Sequence, residues 1–396
     1  QLLEAGYLKQ KPNGLAKDTK VIKARVTELY DGNPPMTPKD NIKIDGKETL
    51  ANIAHLDEDM AALAQREPLS KLLSSFVPIL TKGAEYPINP RWNVLVDTGR
   101  TSCGKPTLQN LPRKEGVREC FTPYPGNVFV GADYSFAELC SLAQVIYWQF
   151  GDNALMRTIN NGTDPHVAMA ANLMEITLEE AEALHAAGDK NFKEYRTLSK
   201  CCNFGYPGGL GAKTFVDFAK ASYGIEITIE RAKELKADWI RTYPEMATYF
   251  SWIGQLTSSG HATIQQFWSG RIRGGVTFCQ GANSFFQGLV ADGAKIALYL
   301  IVRACYNEPN SPLYGTRINA FIHDEVLGEC PPEQAHAAAT EMEKLMLDGI
   351  KTVIPDVDCF AEPYASTIFS KAAKTIRDKK TGEILVWSPK PKEEES

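Results

Sequence analysis

Two acidic residues stand where apolar strands end. Asp133 closes "NVFVGAD" (127–133), and Asp324 lies within "RINAFIHDEVLGEC" (317–330). In the second stretch Ile318, Ala320 and Ile322 alternate as a half-buried strand requires, and Val326, Leu327 and Cys330 begin another. His323, Asp324 and Glu325 occupy the turn between them, where Asn-Gly or Asp-Gly is the usual hairpin choice. An acid at a strand end is ordinarily a solvated turn residue. If the two strands are neighbours, however, their carboxylates meet, and they repel unless a divalent cation lies between them. Paired metal ions held by carboxylates drive in-line displacement at phosphorus, a chemistry shared by nucleases, phosphatases and polymerases.

A third element narrows the choice. "YRTLSKCCNFG" (195–205) places Arg196, Lys200 and Phe204 at i, i+4 and i+8, on one face of a helix about 12 Å long. That is close to the length of a nucleoside triphosphate. Two cations would hold phosphates while an aromatic ring packs on base or sugar. In isolation the stripe is equally a solvated cationic face beside a core Phe.

The elements that must position these groups follow from periodicity. Residues 1–80 read mainly as helices around a Pro-rich break, "DGNPPMTPKDNIKIDG", with Pro68 punctuating the later helical run. Residues 84–130 are rich in loops and strands. "AELCSLAQVIYWQF" has one apolar helical face. From about 164 to 260 the chain is almost wholly helical, interrupted by "FGYPGGLG". Another helix, "SFFQGLVADGAKIALYLIVRACY", precedes the acidic hairpin, and "PPEQAHAAATEMEKLMLDGI" follows it, with Pro and acids at its start as the helix dipole favours. The order helical, strand-rich, helical, strand-rich describes a sheet domain interrupted by a helical insertion. The charged C-terminal tail reads as solvated.

At 396 residues the chain exceeds one ordinary domain. It is 43% hydrophobic and 23% charged with a net charge of −5, so no global basic field advertises a nucleic-acid partner, although local patches and bound metal count for more than the sum. Nine cysteines without CxxC spacing, two of them adjacent, indicate free thiols in a reducing compartment. No apolar run approaches the roughly 18 residues of a membrane helix, and neither a signal peptide nor an initiator Met is seen, so no membrane association and a fragment or processed product are expected.

Seven ordered segments carry a resemblance to a known family. "DYSFAEL" resembles motif A of family A DNA polymerases, the group of bacterial DNA polymerase I and many phage replicases. "RTLSKCCNFG" resembles their motif B and "HDE" in "FIHDEVL" their motif C. "TGRTSCGKPTLQNLPR" is similar to the primer-template segment, "GTDPHVAMA" to the Asp-x-His element, and "NSFFQGLVADGAK" to the Asn-x-x-x-Gln-Gly helix. "REPLSKL" resembles the end of the thumb helices. The resemblance covers roughly residues 25–370.

It implies an α+β, right-hand polymerase fold with an antiparallel palm sheet, a helical fingers insertion and a partial helical thumb. The expected boundaries are 1–82 thumb, 83–150 first part of the palm, 151–282 fingers and 283–396 second part of the palm. The implied activity is template-directed extension of a primer 3′-end with dNTPs, in replication or repair. Asp133, Asp324 and the Tyr134 carbonyl would hold two Mg²⁺ ions, with Mn²⁺ as a substitute. Arg196, Lys200 and His166 would contact phosphates, Lys200 also protonating pyrophosphate, and Phe204 would flank the incoming nucleotide. Glu138 would exclude a 2′-hydroxyl. Arg100, Gln109, Asn110, Asn283, Gln287, His323 and Lys71 would touch primer-template DNA, and Glu325 would support the metal site. A cytoplasmic location in a bacterial or phage-infected cell goes with these roles. A processivity factor and a separate upstream exonuclease domain stay open.

The sequence also departs from the family pattern. Phe136 and Ala137 replace a common Gln and Ile, Cys140 replaces an Arg, and Gly208, preceded by Pro207, replaces the Tyr four residues after Phe204. The proline should end the helix near Tyr206, which lies about 200° round from the vacated position. Two rivals stand beside this reading: a catalytically silent nucleic-acid-binding module, and another phosphoryl-transfer enzyme (a related single-subunit RNA polymerase or a metal-dependent nuclease).

Overall fold

The computed structural model describes residues 1–12, 14–37, 40–46, 49–112 and 116–389. The chain divides into two compact units, Gln1–Asn89 and Pro90–Ser396.

In the first unit a hairpin of β1 (Leu8–Lys11) and β2 (Gly14–Lys17) precedes α1 (Thr19–Leu29), α2 (Thr49–Ile53), α3 (Glu58–Lys71) and α4 (Val77–Gly83). Asp18 caps α1 by accepting from the Lys20 and Val21 amides, as N-cap chemistry requires. Ile22, Val26, Leu50, Ile53, Met60 and Leu63 form the core. The hairpin departs from the mainly helical expectation for residues 1–80. Its only buried side chain is Leu8, so "LKQK" and "GLAK" carry no alternation to announce a strand. The helix α3 also runs through position 68, where a break is expected. Residues 38–39 of the Pro-rich break lie outside the described residues, as does the tail from 390.

The second unit begins with a small hairpin, β3 (Arg91–Asn93) with β4 (Ser102–Gly104). Then β5 (Val128–Ser135) leads directly into α5 (Ala137–Phe150). A helical stretch follows: α6 (Ala154–Asn160), α7 (Pro165–Met174), α8 (Leu178–Ala187), α9 (Lys190–Gly205), α10 (Ala212–Tyr223), α11 (Ile229–Thr242) and α12 (Glu245–Leu256). A two-stranded ribbon, β6 (Ala262–Gln265) with β7 (Ile272–Val276), precedes the long α13 (Phe278–Asn307). The chain then returns to the sheet through β8 (Arg317–Ile322), β9 (Glu325–Cys330), α14 (Ala335–Lys351), β10 (Phe360–Ser366), β11 (Ile376–Arg377) and β12 (Ile384–Trp387).

The strand order of the central sheet is β11-β12-β10-β5-β9-β8. Every pairing is antiparallel except β10 with β12, a parallel contact at one side that the expected all-antiparallel sheet lacks. The β12 strand comes from "ILVW", just before the charged tail. By length and composition α13 is apolar enough to cross a membrane, contrary to the reading of the sequence. Yet 61% of its apolar window is buried, against α14 and α5, and it serves as the core helix of this unit.

The sheet's two faces have different uses. Val130, Ala132 and Tyr134 point to α14, where the Tyr134 hydroxyl donates to the Met346 carbonyl at 2.6 Å. Gly131 and Asp133 face the other way, opposite Tyr364 and Glu362 of β10. A Cβ on Gly131 would lie 2.6 Å from the Tyr364 ring, so glycine here lets that ring lie across β5. Gly131→Val should lower the unfolding free energy by about 1–3 kcal/mol through overpacking. Urea denaturation checks this, and an unshifted midpoint would show that the ring has room to spare.

Candidate active site

The pairing of β5 with β9 sets Asp133 directly opposite Glu325, and Asp324 immediately precedes Glu325. The two acids singled out in the sequence therefore share one corner of the sheet. The turn itself is shorter than expected. Only His323 and Asp324 lie outside the strands, whereas Glu325 begins β9, pairs with Ile322, and is buried. His323 adopts the left-handed φ of 63° that a two-residue hairpin demands, a conformation costly for a residue with a Cβ. Its Nε2 lies 3.1 Å from the Gln109 carbonyl. The buried Gln109 amide donates to the Phe321 carbonyl and to Thr101, both at 3.1 Å, so Gln109 braces the hairpin.

Burial and neighbouring carboxylates raise the pKa of both aspartates. Burial pushes Asp133 up to about 6, with Glu325 adding to the shift and Lys371 opposing it. Burial pushes Asp324 up to about 7, and the Asp133 charge adds to that. Glu325 is held by two donors: the Tyr364 hydroxyl at 2.6 Å on one oxygen and the Lys371 ammonium at 3.2 Å on the other. Lys371 also reaches Asp133 Oδ2 at 3.5 Å. Neither Tyr364 nor Lys371 was predicted from sequence. Lys371 lies 46 residues beyond Glu325, in a loop with no motif to mark it.

Beyond Asp324 a narrow cleft is lined by Arg100, Glu138, Lys295, Phe321 and His323. Glu138 is in the first turn of α5 and accepts from Arg100. It gets there because Phe136 takes a left-handed turn (φ 39°, ψ 36°) between β5 and α5, strain localised beside the acids. Asn110 is exposed nearby in sequence, in a short 3₁₀ turn.

The predicted stripe on α9 is real. Arg196, Lys200 and Phe204 form its partly exposed side, and Ser199, Cys201, Cys202 and Asn203 are buried behind them. Arg196 is ion-paired to Asp164, whose other oxygen caps α7 through the His166 amide at 2.7 Å. Burial lowers the Lys200 pKa and the Arg196 charge adds to that. His166, expected at the phosphates, lies mostly inside. It is 3% exposed, bonded through Nδ1 to Asn203 at 3.0 Å, and burial pushes its pKa down to about 4, so it is a neutral ring packed on Phe204.

As the proline predicts, α9 ends at Gly205 and a 3₁₀ turn, Tyr206–Gly208, follows. Tyr206 points into the core, stacked 4.1 Å from Phe215 and donating to the Ala232 carbonyl at 2.7 Å. A Cβ on Gly208 would lie 2.5 Å from the Asn283 side-chain amide, so any side chain here must displace Asn283. Asn283 donates to the Gly208 and Cys279 carbonyls and accepts from Gln287 at 3.3 Å. Lys71 is exposed at the end of α3, in the first unit.

Comparison with known proteins adds one decisive match: residues 32–360 fit the model of DNA polymerase family A. The chain belongs to DNA polymerase family A. It is 26% identical over 372 residues to DNA polymerase I of Aquifex aeolicus, covering 92% of this chain and 60% of that protein. Against DNA polymerase I of Chloroflexus aurantiacus it is 29% identical over 331 residues, 78% of this chain and 32% of the relative. The chain thus spans about a third to three fifths of these relatives. A solved family A structure, the POL domain of Pol1 from M. smegmatis in complex with DNA primer-template and dNTP, has a similar fold: TM-score 0.67, 21% identity, covering 88% of this chain and 60% of that one. The α+β right-hand polymerase fold is therefore that of this chain.

Family A polymerases depend on divalent metal. Among the described residues no group of three or more His, Cys, Asp or Glu side chains is arranged to hold an ion. Two aspartates with hard oxygen donors and raised pKa values still suit one, because a cation beside them offsets their burial and the charge of neighbouring carboxylates. A metal-free preparation has a definite pH signature. Folded Asp133 and Asp324 keep their protons up to about pH 6 and 7, whereas unfolded carboxyls lose theirs near 4. Folding binds protons across that window, so stability falls as pH rises through it. Melting temperatures from pH 5 to 8 should fall more steeply for wild type than for Asp324→Asn, and MgCl₂ at pH 8 should recover the wild-type loss. Parallel curves for the two proteins would refute the raised pKa of Asp324.

Proposed function

We propose that this chain is the polymerase core of a template-directed DNA polymerase, extending a primer 3′-end with dNTPs. The observation that carries the reading is the register that brings Asp133 to Glu325 and hence to Asp324, in the same unit as the cationic stripe of α9. Asp133 and Asp324, with the Tyr134 carbonyl, would hold two Mg²⁺ ions. When bound, these supply Lewis acidity toward the primer hydroxyl and neutralise the triphosphate.

The protein's own groups do the rest. Arg196 holds the phosphates, exchanging its bond to Asp164 for them. Phe204, 40% exposed and backed by the neutral His166 ring, offers a face to the base and sugar. As the primer oxygen, its proton passing to solvent, bonds to the α-phosphorus and the bond from that phosphorus to the β-phosphate oxygen breaks, Lys200 delivers a proton to the departing pyrophosphate. Its lowered pKa makes it the better acid for that task. Glu138, held by Arg100, fills the space a 2′-hydroxyl would need. Arg100, Asn110, Asn283, Gln287, His323 and Lys71 are assigned to the primer-template, with Gln109 acting behind them on the hairpin.

Sheet strands on either side of the helical stretch support a palm of residues 83–150 and 283–396 interrupted by fingers of 151–282, with 1–82 as part of a thumb. The reaction locates the chain with its DNA, in the cytoplasm of a bacterial or phage-infected cell.

Primer extension on a defined template tests the reading. Asp324→Ala should reduce extension at least 10³-fold, roughly the cost of losing a group that acts in the transition state, while DNA binding by anisotropy stays near wild type. Retained synthesis would remove Asp324 from the centre. With NTPs in place of dNTPs, Glu138→Ala should incorporate ribonucleotides about 10²-fold better than wild type, on the order of a steric discrimination of 1–3 kcal/mol. An unchanged sugar preference would assign selectivity elsewhere.

A further inference from the structure

The loop after β10 places a lysine against two of the three clustered carboxylates. Lys371 Nζ lies 3.2 Å from Glu325 Oε2 and 3.5 Å from Asp133 Oδ2. The loop is pinned on both sides of it. Phe369 is buried beneath the Arg118 guanidinium, 5.0 Å from the ring centroid, and its amide donates to the Phe121 carbonyl. Ser370 donates to Glu119 at 3.0 Å, and Thr375 to the Pro363 carbonyl at 2.5 Å. Ordering a lysine costs rotamer entropy, and a pinned loop that delivers it to one place reduces that cost.

What the lysine does there follows from charge and geometry. Glu325 is 4% exposed, and an isolated carboxylate that deep would be very costly. Its two oxygens are engaged by Tyr364 and Lys371. Without Lys371, the Oε2 side of Glu325 would be an unneutralised anion facing the Asp133 corner, and a divalent cation bound there would attract it as a third carboxylate ligand. With Lys371 the cluster Asp133, Asp324, Glu325 and Lys371 carries −2 rather than −3.

We propose that Lys371 is a positioning residue that acts as a built-in counter-ion: it withholds Glu325 from the metals and keeps divalent binding at the two aspartates weak. The proposal rests on the reading of Asp133 and Asp324 as metal ligands. A lysine that merely stabilises a buried glutamate would leave metal affinity unchanged on removal, or weaken it. A counter-ion predicts the opposite sign.

The test is Mn²⁺ binding to the full chain at pH 8, without DNA or nucleotide, read from the EPR signal of free Mn²⁺. Lys371→Met should tighten binding about tenfold, the effect of one unit charge a few ångströms away in a half-exposed site. Glu325→Gln should weaken it by a similar factor. The double variant, Lys371→Met with Glu325→Gln, restores the net charge and should return to within about threefold of wild type. Lys371→Arg should stay close to wild type. An unchanged or weaker Mn²⁺ affinity in Lys371→Met would overturn the proposal, and so would a double variant that fails to return. The double variant removes charge and counter-charge together, so it keeps the test open if Lys371→Met alone folds poorly. Failure of the underlying reading is separately visible: Asp324→Asn would then bind Mn²⁺ as wild type does.

Discussion

The antiparallel pairing of β5 with β9 is the constraint on which the rest of the second unit depends. It gathers three carboxylates, Asp133, Asp324 and Glu325, at one end of a sheet whose other face is packed on α14. In a partly desolvated corner such charges destabilise the fold unless opposed. Several otherwise unrelated features answer that demand. Gly131 lacks a side chain, so Tyr364 can cross β5 to reach Glu325. A pinned loop brings Lys371 to Glu325 and Asp133. Arg100 opposes the Asp324 charge, although the Glu138 it pairs with adds to it. The aspartates themselves are left with raised pKa values, which makes them receptive to a divalent ion.

The nucleotide side follows a complementary rule, with cations held ready and nearby groups kept neutral. Asp164 holds Arg196 while capping α7, and the same cap sets the His166 ring between Phe204 and Phe136. Behind it the amide of Asn203 links His166 Nδ1, the Pro165 carbonyl and the Trp239 indole. Buried polar groups so fully bonded are rigid, which suits a surface that must present charge without a large rearrangement. Where α9 ends, the unusual "YPGG" packs its backbone tightly on α13. Asn283 of α13 lies against Gly208, and Tyr206 is held in the core instead.

Much of this fold was legible in the sequence because it is locally encoded. Long periodic helices such as α9, α13 and α14 declare themselves by apolar spacing and end signals, and Pro207 marks the end of α9 through the missing amide. The β1–β2 hairpin was not legible, since a two-stranded ribbon with one buried leucine has no apolar period. Glu325 was read as a turn residue because it is charged and adjoins the turn. Pairing with Asp133 and Ile322 makes it a strand residue, and pairing is not a local property.

The sequence by itself determined which groups are available: two acids at strand ends, a cationic and aromatic stripe at helical spacing, and the ordered motifs of family A. These depend on residue type and periodicity alone. Only the tertiary structure decided how they combine. It turned Gln109 inward to brace the hairpin, made His166 neutral, and gave Glu325 a lysine 46 residues away. Strand register, burial and the position of an opposing charge are set by residues distant in the chain, and the chemistry of a carboxylate depends on all three.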